Sequence, residues 1–183
     1  MPKNIELEFK TVIPKSSYEE ILASYNLNDN VFLQTNHYFD TPSLDLSAQD
    51  IVLRIRQKGE RFFKVTIKKQ HPEEAYESHI LLSREQAEKM LKEGFNTKQF
   101  FPQLSYDVSH ITSIDNFRAS MPYKNGLMYV DRCEYCSHVD YELEYEVSDS
   151  DIGFTNFQSF LSNHGLTLKQ TKRKSERAFS CQI

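Results

Sequence analysis

The amino-acid sequence predicts a mainly-β fold of the α+β class, in which a closed or strongly curved antiparallel sheet carries flanking helices. At least seven segments have strand patterns, and several of them alternate apolar and charged residues with the period of a β-strand. Few connections between these segments are long, which favours antiparallel pairing, and closure of such a sheet would remove its exposed edges. With 183 residues, 39% of them hydrophobic, the chain is long enough for one substantial core. We therefore expect a single domain that spans residues 1–183.

The first strand and the first helix are predicted from a proline and a capping pattern. A strand over residues 3–13 ends before Pro14, because proline interrupts a hydrogen-bonded ladder. Ser17 and Glu20 have the spacing of a capping box, which predicts a short helix that continues to Tyr25.

Four further strands are predicted before the second helix, and their ranges are 34–41, 49–57, 61–69 and 74–82. The turn signal Lys58-Gly59-Glu60 makes the middle two strands a hairpin. Ser83 and Gln86 form a second capping box, and the helix that they open is expected to end at Gly94.

The second half of the chain returns to strands after an ambiguous segment. Residues 96–109 mix apolar residues with structure breakers, so helix and loop both remain open there. The remaining elements are predicted as strands at 112–123, 126–135 and 140–147, a helix at 154–163 and a basic, extended segment at 167–179. Asn125-Gly126 is a strong hairpin signal between the first two of these strands.

Composition argues against general nucleic-acid binding and against a membrane span. The formal net charge of −4 gives no overall attraction to a polyanion, so any polyanion must be bound locally. No run approaches the roughly 18 to 20 apolar residues of a membrane helix. The N-terminus also lacks the apolar core of a signal peptide, so a cytoplasmic protein is expected.

The three cysteines fit a reduced compartment. Cys133 and Cys136 form a CxxC pair, but no second pair of cysteines or histidines completes a zinc site. Because the pair lies in or just after a strand pattern rather than at a helix start, structural or incidental cysteines are favoured over redox or zinc chemistry.

Charged residues on the predicted strands are sorted by sign. The acidic sets are Glu6 with Glu8, followed by Lys10, and Glu142 with Glu144 and Glu146; the basic sets are Arg54 with Arg56 and Lys64 with Lys68. Residues two apart share one face of a strand. A solvated face would explain any one of these sets, but ordinary solvated faces mix their signs. Clustered carboxylates and basic side chains are instead suited to a divalent cation and to phosphate.

Seven motifs resemble, in order and spacing, the CYTH superfamily of triphosphate tunnel metalloenzymes. They are Glu6-x-Glu8-x-Lys10, Tyr38-Phe39-Asp40-Thr41, Leu53-Arg54-Ile55-Arg56, Thr66-Ile67-Lys68, the strand of Asp131, Tyr141-Glu142-Leu143-Glu144 and Lys174-Ser175-Glu176-Arg177-Ala178. Together they cover nearly the whole chain, which is most similar to the short bacterial members of the YjbK type. The resemblance implies an eight-stranded antiparallel barrel, closed around a tunnel and flanked by helices.

The resemblance also implies a hydrolase that uses Mg²⁺ or Mn²⁺ and acts on inorganic triphosphate (tripolyphosphate) or a small organic triphosphate. The implied metal ligands are Glu6, Glu8, Glu142 and Glu144. Asp131 and Glu146 are further candidates, each of which could bind metal, pair with an arginine or face solvent. The implied phosphate-binding residues are Lys10, Arg54, Arg56, Lys64, Lys68, Arg118, Lys172, Lys174 and Arg177. Lys172 and Lys174 are alternatives for one role, and Arg118 is assigned from the strand pattern alone. Glu8 and Lys10 are the implied catalytic residues, with Lys10 orienting water or stabilising the leaving phosphate.

One strand departs from the family pattern, and several functions stay open. Many relatives carry a second acidic residue two positions after the one that corresponds to Glu77, whereas this chain has His79 there. The enzymatic alternatives are a class IV-type adenylate cyclase and a thiamine triphosphatase. The non-enzymatic alternative is a sensor that binds polyphosphate or a nucleotide, although pure anion binding gains nothing from carboxylates without a metal. We expect a triphosphate-containing small molecule as the partner, no nucleic acid or membrane, and a monomer or homodimer.

Overall fold

The computed structural model describes residues 7–70 and 76–181, and the chain divides into two compact units. Among the described residues, the acidic unit comprises residues 7–33 and Asp115–Arg173, and the basic unit comprises Gln34–Ile114 and the segment that begins at Lys174. We name the units after the charged side chains on the polar faces of their strands. The single domain expected from the sequence stays a prediction.

Nine strands and four α-helices are present in the described residues. The strands are β1 (Leu7–Ile13), β2 (Phe32–Asp40), β3 (Ile51–Lys58), β4 (Phe62–Lys69), β5 (Tyr76–Leu82), β6 (Phe95–Asn96), β7 (Asp107–Tyr123), β8 (Gly126–Tyr135) and β9 (His138–Val147). The helices are α1 (Lys15–Ser24), α2 (Arg84–Glu93), α3 (Ser150–Asn163) and α4 (Lys174–Ser180). Single 3₁₀ turns lie at Asn28–Asn30, Ser47–Gln49 and Thr97–Gln99.

The sheet is antiparallel but open. Its strands pair in the order β1-β9-β8-β7-β2-β3-β4-β5, and β6 pairs with β7. Within the described residues, β1 and β5 are the two ends of this order and no pairing joins them. The fold is therefore α+β and mainly β, as expected, but the predicted closure into an eight-stranded barrel is wrong. Alternation along a strand determines which face each side chain takes, whereas pairing of the first and last strands is a long-range property without a local signal.

Three predicted segments differ in their ends or their type. Helix α1 begins at Lys15 directly after Pro14, and no side-chain capping bond is present, so the predicted capping box of Ser17 is wrong. Helix α3 begins at Ser150, because the carboxylate of Asp149 accepts the backbone N–H of Ile152. The C-terminal segment is not extended throughout, since Lys174–Ser180 forms α4.

The second capping box and the two hairpins are confirmed. Ser83 Oγ accepts the backbone N–H of Gln86 at 3.1 Å, and Gln86 Oε1 accepts that of Ser83 at 2.9 Å. Strands β3 and β4 pair antiparallel, as do β7 and β8. Gly126 pairs with Tyr123 in the second hairpin, and a Cβ atom at Gly126 would lie 2.5 Å from the carbonyl oxygen of Glu146. This close approach requires glycine.

Each unit buries the apolar face of its own strands. In the acidic unit, α1 and α3 supply Ile21, Phe157 and Phe160 to a core that contains Leu143 and Tyr145 of β9. In the basic unit, a separate core collects residues of β3, β4 and α2, among them Leu53, Ile55, Val65, Ile67, Ala87 and Met90. Complete burial of one such large side chain stabilises the fold by about 1.5 to 3 kcal/mol. Burial of these faces leaves the charged residues of the same strands on the opposite, polar face of each unit.

No helix among the described residues has the length and the apolar character needed to cross a membrane. The cytoplasmic location stays a prediction.

Candidate functional site

Three carboxylates of the acidic unit lie together on the polar face of β8 and β9. Asp131 pairs with Glu142 across these strands, and Glu144 follows Glu142 by two residues, so the three side chains point to the same side. One carboxylate oxygen of each lies within 4.8 Å of the others, and all three residues are buried. Leu143 and Tyr145 alternate with the two glutamates and enter the core instead. This alternation is what presents the carboxylates as a group.

Arg118 of β7 joins two members of this carboxylate group. Its Nε donates to Asp131 Oδ1 at 2.8 Å, and its Nη2 donates to Asp131 Oδ2 at 2.6 Å and to Glu144 Oε2 at 2.5 Å. The guanidinium carbon also lies 4.0 Å from the centre of the Tyr129 ring. Burial by itself lowers the pKa of Arg118, but Asp131 and Glu144 outweigh burial and raise that pKa well above its ordinary value. Arg118 is therefore a permanent cation within the group.

The charge of the group suits a divalent cation. When ionised, three carboxylates carry three negative charges, and Arg118 returns one positive charge, which leaves a balance of −2. Buried like charges are costly unless a cation compensates them. Hard divalent cations prefer carboxylate oxygens, which are the donors present here. The acidic group is thus able to bind a divalent metal ion.

A second set of predicted residues lies next to this group on β1 and β9. In the register of these strands, Lys10 is opposite Glu144 and Glu8 is opposite Glu146. Lys10 Nζ lies 3.6 Å from Glu8 Oε1. The Tyr129 hydroxyl donates to Glu146 Oε2 at 3.4 Å, and burial, followed by the charge of Glu146, raises the pKa of Tyr129. Strand pairing therefore places Lys10 directly opposite Glu144 on the neighbouring strand.

The basic unit places four predicted cations on the polar face of β3 and β4. They are Arg54, Arg56, Lys64 and Lys68, all half-buried. Arg56 is opposite Lys64, and Arg54 is opposite Thr66. Lys68 Nζ lies 3.7 Å from Glu77 Oε2 of β5. The alternating apolar residues of both strands are buried in the core of the basic unit, which keeps the cations on one face.

The other predicted residues are more dispersed. Lys172 is exposed in the acidic unit, whereas Lys174 is half-buried and begins α4 of the basic unit. Arg177 of α4 is buried. Glu6, a predicted metal ligand, lies outside the described residues.

His79 and the cysteine motif are placed as follows. His79 is exposed on β5, opposite Thr66. Cys133 is buried and lies outside any disulfide, and its Sγ donates to Asn116 Oδ1 at 3.8 Å. Cys136 is disulfide-bonded, so the CxxC motif holds no internal disulfide, and the expectation that the cysteines are all reduced is wrong. Burial of Cys133 agrees with a structural role for that thiol.

Two polar residues that are not among the predicted site residues lie on the same face as the four cations. Gln34 and Asn36 of β2 are 1% and 0% exposed, and Asn36 is opposite Arg56. Thr35 and His37, which alternate with them along the strand, are polar as well. Because neither face of this stretch is apolar, its alternation carries no hydrophobic signal. A search for polar residues at two-residue spacing would have found the pair.

The fold and the acidic group define a CYTH protein. The CYTH domain family model matches residues 4–179, and the chain therefore belongs to the CYTH family. The family resemblance predicted from the ordered motifs is confirmed.

Known proteins with similar sequences and structures extend over the same length. The chain is 30% identical to the Bacillus subtilis (strain 168) protein named "Putative triphosphatase YjbK", across 98% of this chain and 96% of that protein. It is 29% identical to a solved structure from Bacillus halodurans that is called a "putative adenylate cyclase", with a TM-score of 0.88 and coverage of 98% and 100%. It also resembles the structure of HpAC1 from Hippeastrum, with a TM-score of 0.80, 17% identity and coverage of 96% and 95%. At 17% identity, the last likeness concerns the fold alone.

Proposed function

We propose that this protein is a divalent-metal-dependent triphosphatase that hydrolyses inorganic triphosphate or a small organic triphosphate. The observation that carries the proposal is the buried group of Asp131, Glu142 and Glu144, held together in part by Arg118. A protein that only binds anions gains nothing from buried carboxylates, because they repel the ligand unless a cation intervenes. The 30% identity to the protein named "Putative triphosphatase YjbK" supports the same function.

The acidic unit would hold the metal. Asp131, Glu142 and Glu144 are the principal ligands in this proposal, and Glu6, Glu8 and Glu146 are further candidates. Bound Mg²⁺ or Mn²⁺ would neutralise phosphate oxygens and favour ionisation of water. Arg118 fixes the orientation of two ligands by charge-assisted hydrogen bonds. Lys10, near Glu8, would orient the attacking water or stabilise the leaving phosphate.

The basic unit would bind phosphate oxygens. Arginine forks and lysine ammonium groups neutralise phosphate from several directions without reading a base or a sugar. Arg54, Arg56, Lys64 and Lys68 are the principal candidates in this unit, and Lys174 and Arg177 are further ones. Arg118 and Lys172, in the acidic unit, are further candidates as well. In the proposed reaction, water attacks the terminal phosphorus, the P–O bond to the bridging oxygen breaks, and the products of inorganic triphosphate are orthophosphate and pyrophosphate.

A class IV-type adenylate cyclase is the second candidate. The observation that favours it is the similarity to the Bacillus halodurans protein called a "putative adenylate cyclase", which covers nearly the whole of both chains. The two reactions share metal and phosphate binding but differ in the nucleophile. Water yields orthophosphate, whereas the ribose hydroxyl of ATP yields cyclic AMP and pyrophosphate. The products therefore distinguish the candidates.

A product assay across three substrates tests the proposal. Inorganic triphosphate, thiamine triphosphate and ATP are each incubated with Mg²⁺ or Mn²⁺, and an EDTA sample serves as the control. Chelator-sensitive release of orthophosphate is the expected result, and the rates rank the substrates. Cyclic AMP as the main product from ATP would establish the cyclase instead. Tight binding of triphosphate without any product would support the sensor and overturn both enzymatic candidates.

A further inference from the structure

We infer that Asn36 is an additional substrate-binding residue. Its uncharged side-chain amide donates a hydrogen bond to a phosphate oxygen, and Arg56 holds the amide in place. This inference rests on the proposed triphosphatase function. It adds an uncharged contact to a face that the sequence marks only by its cations.

The orientation of the Asn36 amide follows from its bond to Arg56. Arg56 Nε lies 2.9 Å from Asn36 Oδ1. An arginine side chain has donors and no acceptor, so the atom that contacts Nε must be the amide oxygen rather than the nitrogen. The Nδ2 group of Asn36 therefore remains as a donor directed elsewhere.

This donor is buried and lacks a partner within the described part of the chain. Asn36 is 0% exposed, and its Nδ2 makes no hydrogen bond there. Buried polar groups in native proteins nearly always have a partner, and exceptions call for a specific explanation. A bound ligand or an ordered water would supply the missing acceptor.

Three neighbouring atoms on the same face also lack a hydrogen-bond partner among the described residues. They are Gln34 Nε2 on β2, Arg54 Nε on β3 and Thr66 Oγ1 on β4, and all three are buried. Gln34 and Asn36 are two residues apart, and Arg54 is opposite Thr66. Three of these four groups can only donate through the atom concerned, and a hydroxyl can donate as well. A ligand with several acceptor oxygens would satisfy them together.

A phosphoryl group has the required chemistry. Its oxygens accept hydrogen bonds from several directions, and Arg56 and Lys64, which are opposite each other, contribute positive charge in the same cross-strand row as Asn36. A carboxylate at position 36 would still accept the Arg56 hydrogen bond. It would also replace the donor with a negatively charged acceptor, which would repel the phosphate.

The test is the affinity for inorganic triphosphate without metal, measured by calorimetry in EDTA. We expect Asn36→Asp to weaken binding by about tenfold or more, because a donor to a charged group is lost and a repulsive charge is added. The matched control is Gln57→Glu, which adds the same charge next to Arg56 on β3 but on the opposite face. Its Oε1 atom accepts from His37 in the wild type, and a carboxylate can accept that bond too. We expect the control to change the affinity by less than about threefold.

Asn36→Ala provides a second route if the aspartate variant does not fold. It removes the donor without adding a charge, and about a fivefold loss of affinity is expected. If the wild type does not bind triphosphate in EDTA, the inference fails, because the polar face of the basic unit then does not hold phosphate by its own side chains; the proposed function fails only if no orthophosphate is released from inorganic triphosphate with Mn²⁺. If the wild type binds and the folded Asn36 variants bind equally well, the proposed function survives and the inference fails, because water alone then satisfies the amide.

Discussion

Arg118 and Asp131 form a buried, bidentate ion pair in the acidic unit. Nε donates to Oδ1 at 2.8 Å, and Nη2 donates to Oδ2 at 2.6 Å. Asp131 is 0% exposed and Arg118 is 8% exposed. Because Nη2 also donates to Glu144, one guanidinium orients two of the three clustered carboxylates. The stability of the unit and the arrangement of its carboxylates therefore depend on the same side chain.

Replacement of Arg118 by alanine should lower the free energy of unfolding by about 3 to 5 kcal/mol, because Asp131 would remain buried beside two other carboxylates without this counter-charge. Urea unfolding at pH 7 measures the loss. Arg84→Ala is the control, since Arg84 forms an exposed pair with Glu88 and we expect its replacement to leave stability unchanged. Equal losses in the free energy of unfolding would show that the buried pair stabilises the protein no more than the exposed pair does.

Glu142→Gln and Glu144→Gln should each weaken binding of Mn²⁺ by about tenfold or more, since each removes a negative charge from the proposed ligand set. Calorimetric titration of the substrate-free protein is the measurement. Glu134→Gln is a matched control, because Glu134 lies on the other face of β8 and is 3.2 Å from Arg132. If the control loses as much affinity as the two variants, the ion binds elsewhere.

Arg56→Ala should raise KM for inorganic triphosphate by about tenfold, because a charge-assisted hydrogen bond to phosphate would be lost. Initial rates over a range of substrate concentrations separate KM from kcat. Arg61→Ala removes the same charge from an exposed position and is expected to leave KM unchanged. An unchanged KM in Arg56→Ala would mean that this guanidinium does not contact the substrate.

Acidification should destabilise the protein through His110. His110 is an exposed residue, but partial desolvation of its ring lowers its pKa; the charge of His37 acts in the same direction, and a backbone hydrogen bond with Thr112 opposes both. Because the folded pKa lies below the ordinary value of 6.5, the unfolded chain binds more protons between the two values. The stability from the neutral ring is therefore complete above pH 6.5 and is lost as pH falls through this window.

Urea unfolding between pH 7.5 and 5 tests the contribution of His110. The free energy of unfolding of His110→Gln should fall less on acidification than that of the wild type. His138→Gln, at an exposed position of the acidic unit, serves as the control. If the free energy of unfolding of His110→Gln falls with pH as steeply as that of the wild type, His110 is not the cause of the destabilisation.

Local alternation in the sequence was sufficient to predict which strand residues share a face. The pairs Arg54 with Arg56 and Glu142 with Glu144 lie on polar faces because the residues between them are apolar and enter a core. The proximity of Asp131 to Glu142 depends on the register of β8 and β9. That register depends on the hydrophobic patterns of both strands and on the geometry of the turn between them, so neither strand alone specifies it.

The wrong predictions have similar physical causes. Closure of the sheet requires the first and last strands to pair, which is a long-range event. The helix at Lys174–Ser180 is only seven residues long, and helices of that length depend on packing more than on local propensity. Ser175, Arg177 and Ala178 are buried, so tertiary contacts are available to stabilise it. A basic composition was insufficient evidence for an extended segment.

The most direct test of the central claim is orthophosphate release from inorganic triphosphate by the purified protein with Mn²⁺, before and after addition of EDTA. We predict one orthophosphate and one pyrophosphate per triphosphate, and complete loss of turnover after chelation. Bound but intact triphosphate in the presence of Mn²⁺ would contradict the proposal of a metal-dependent triphosphatase.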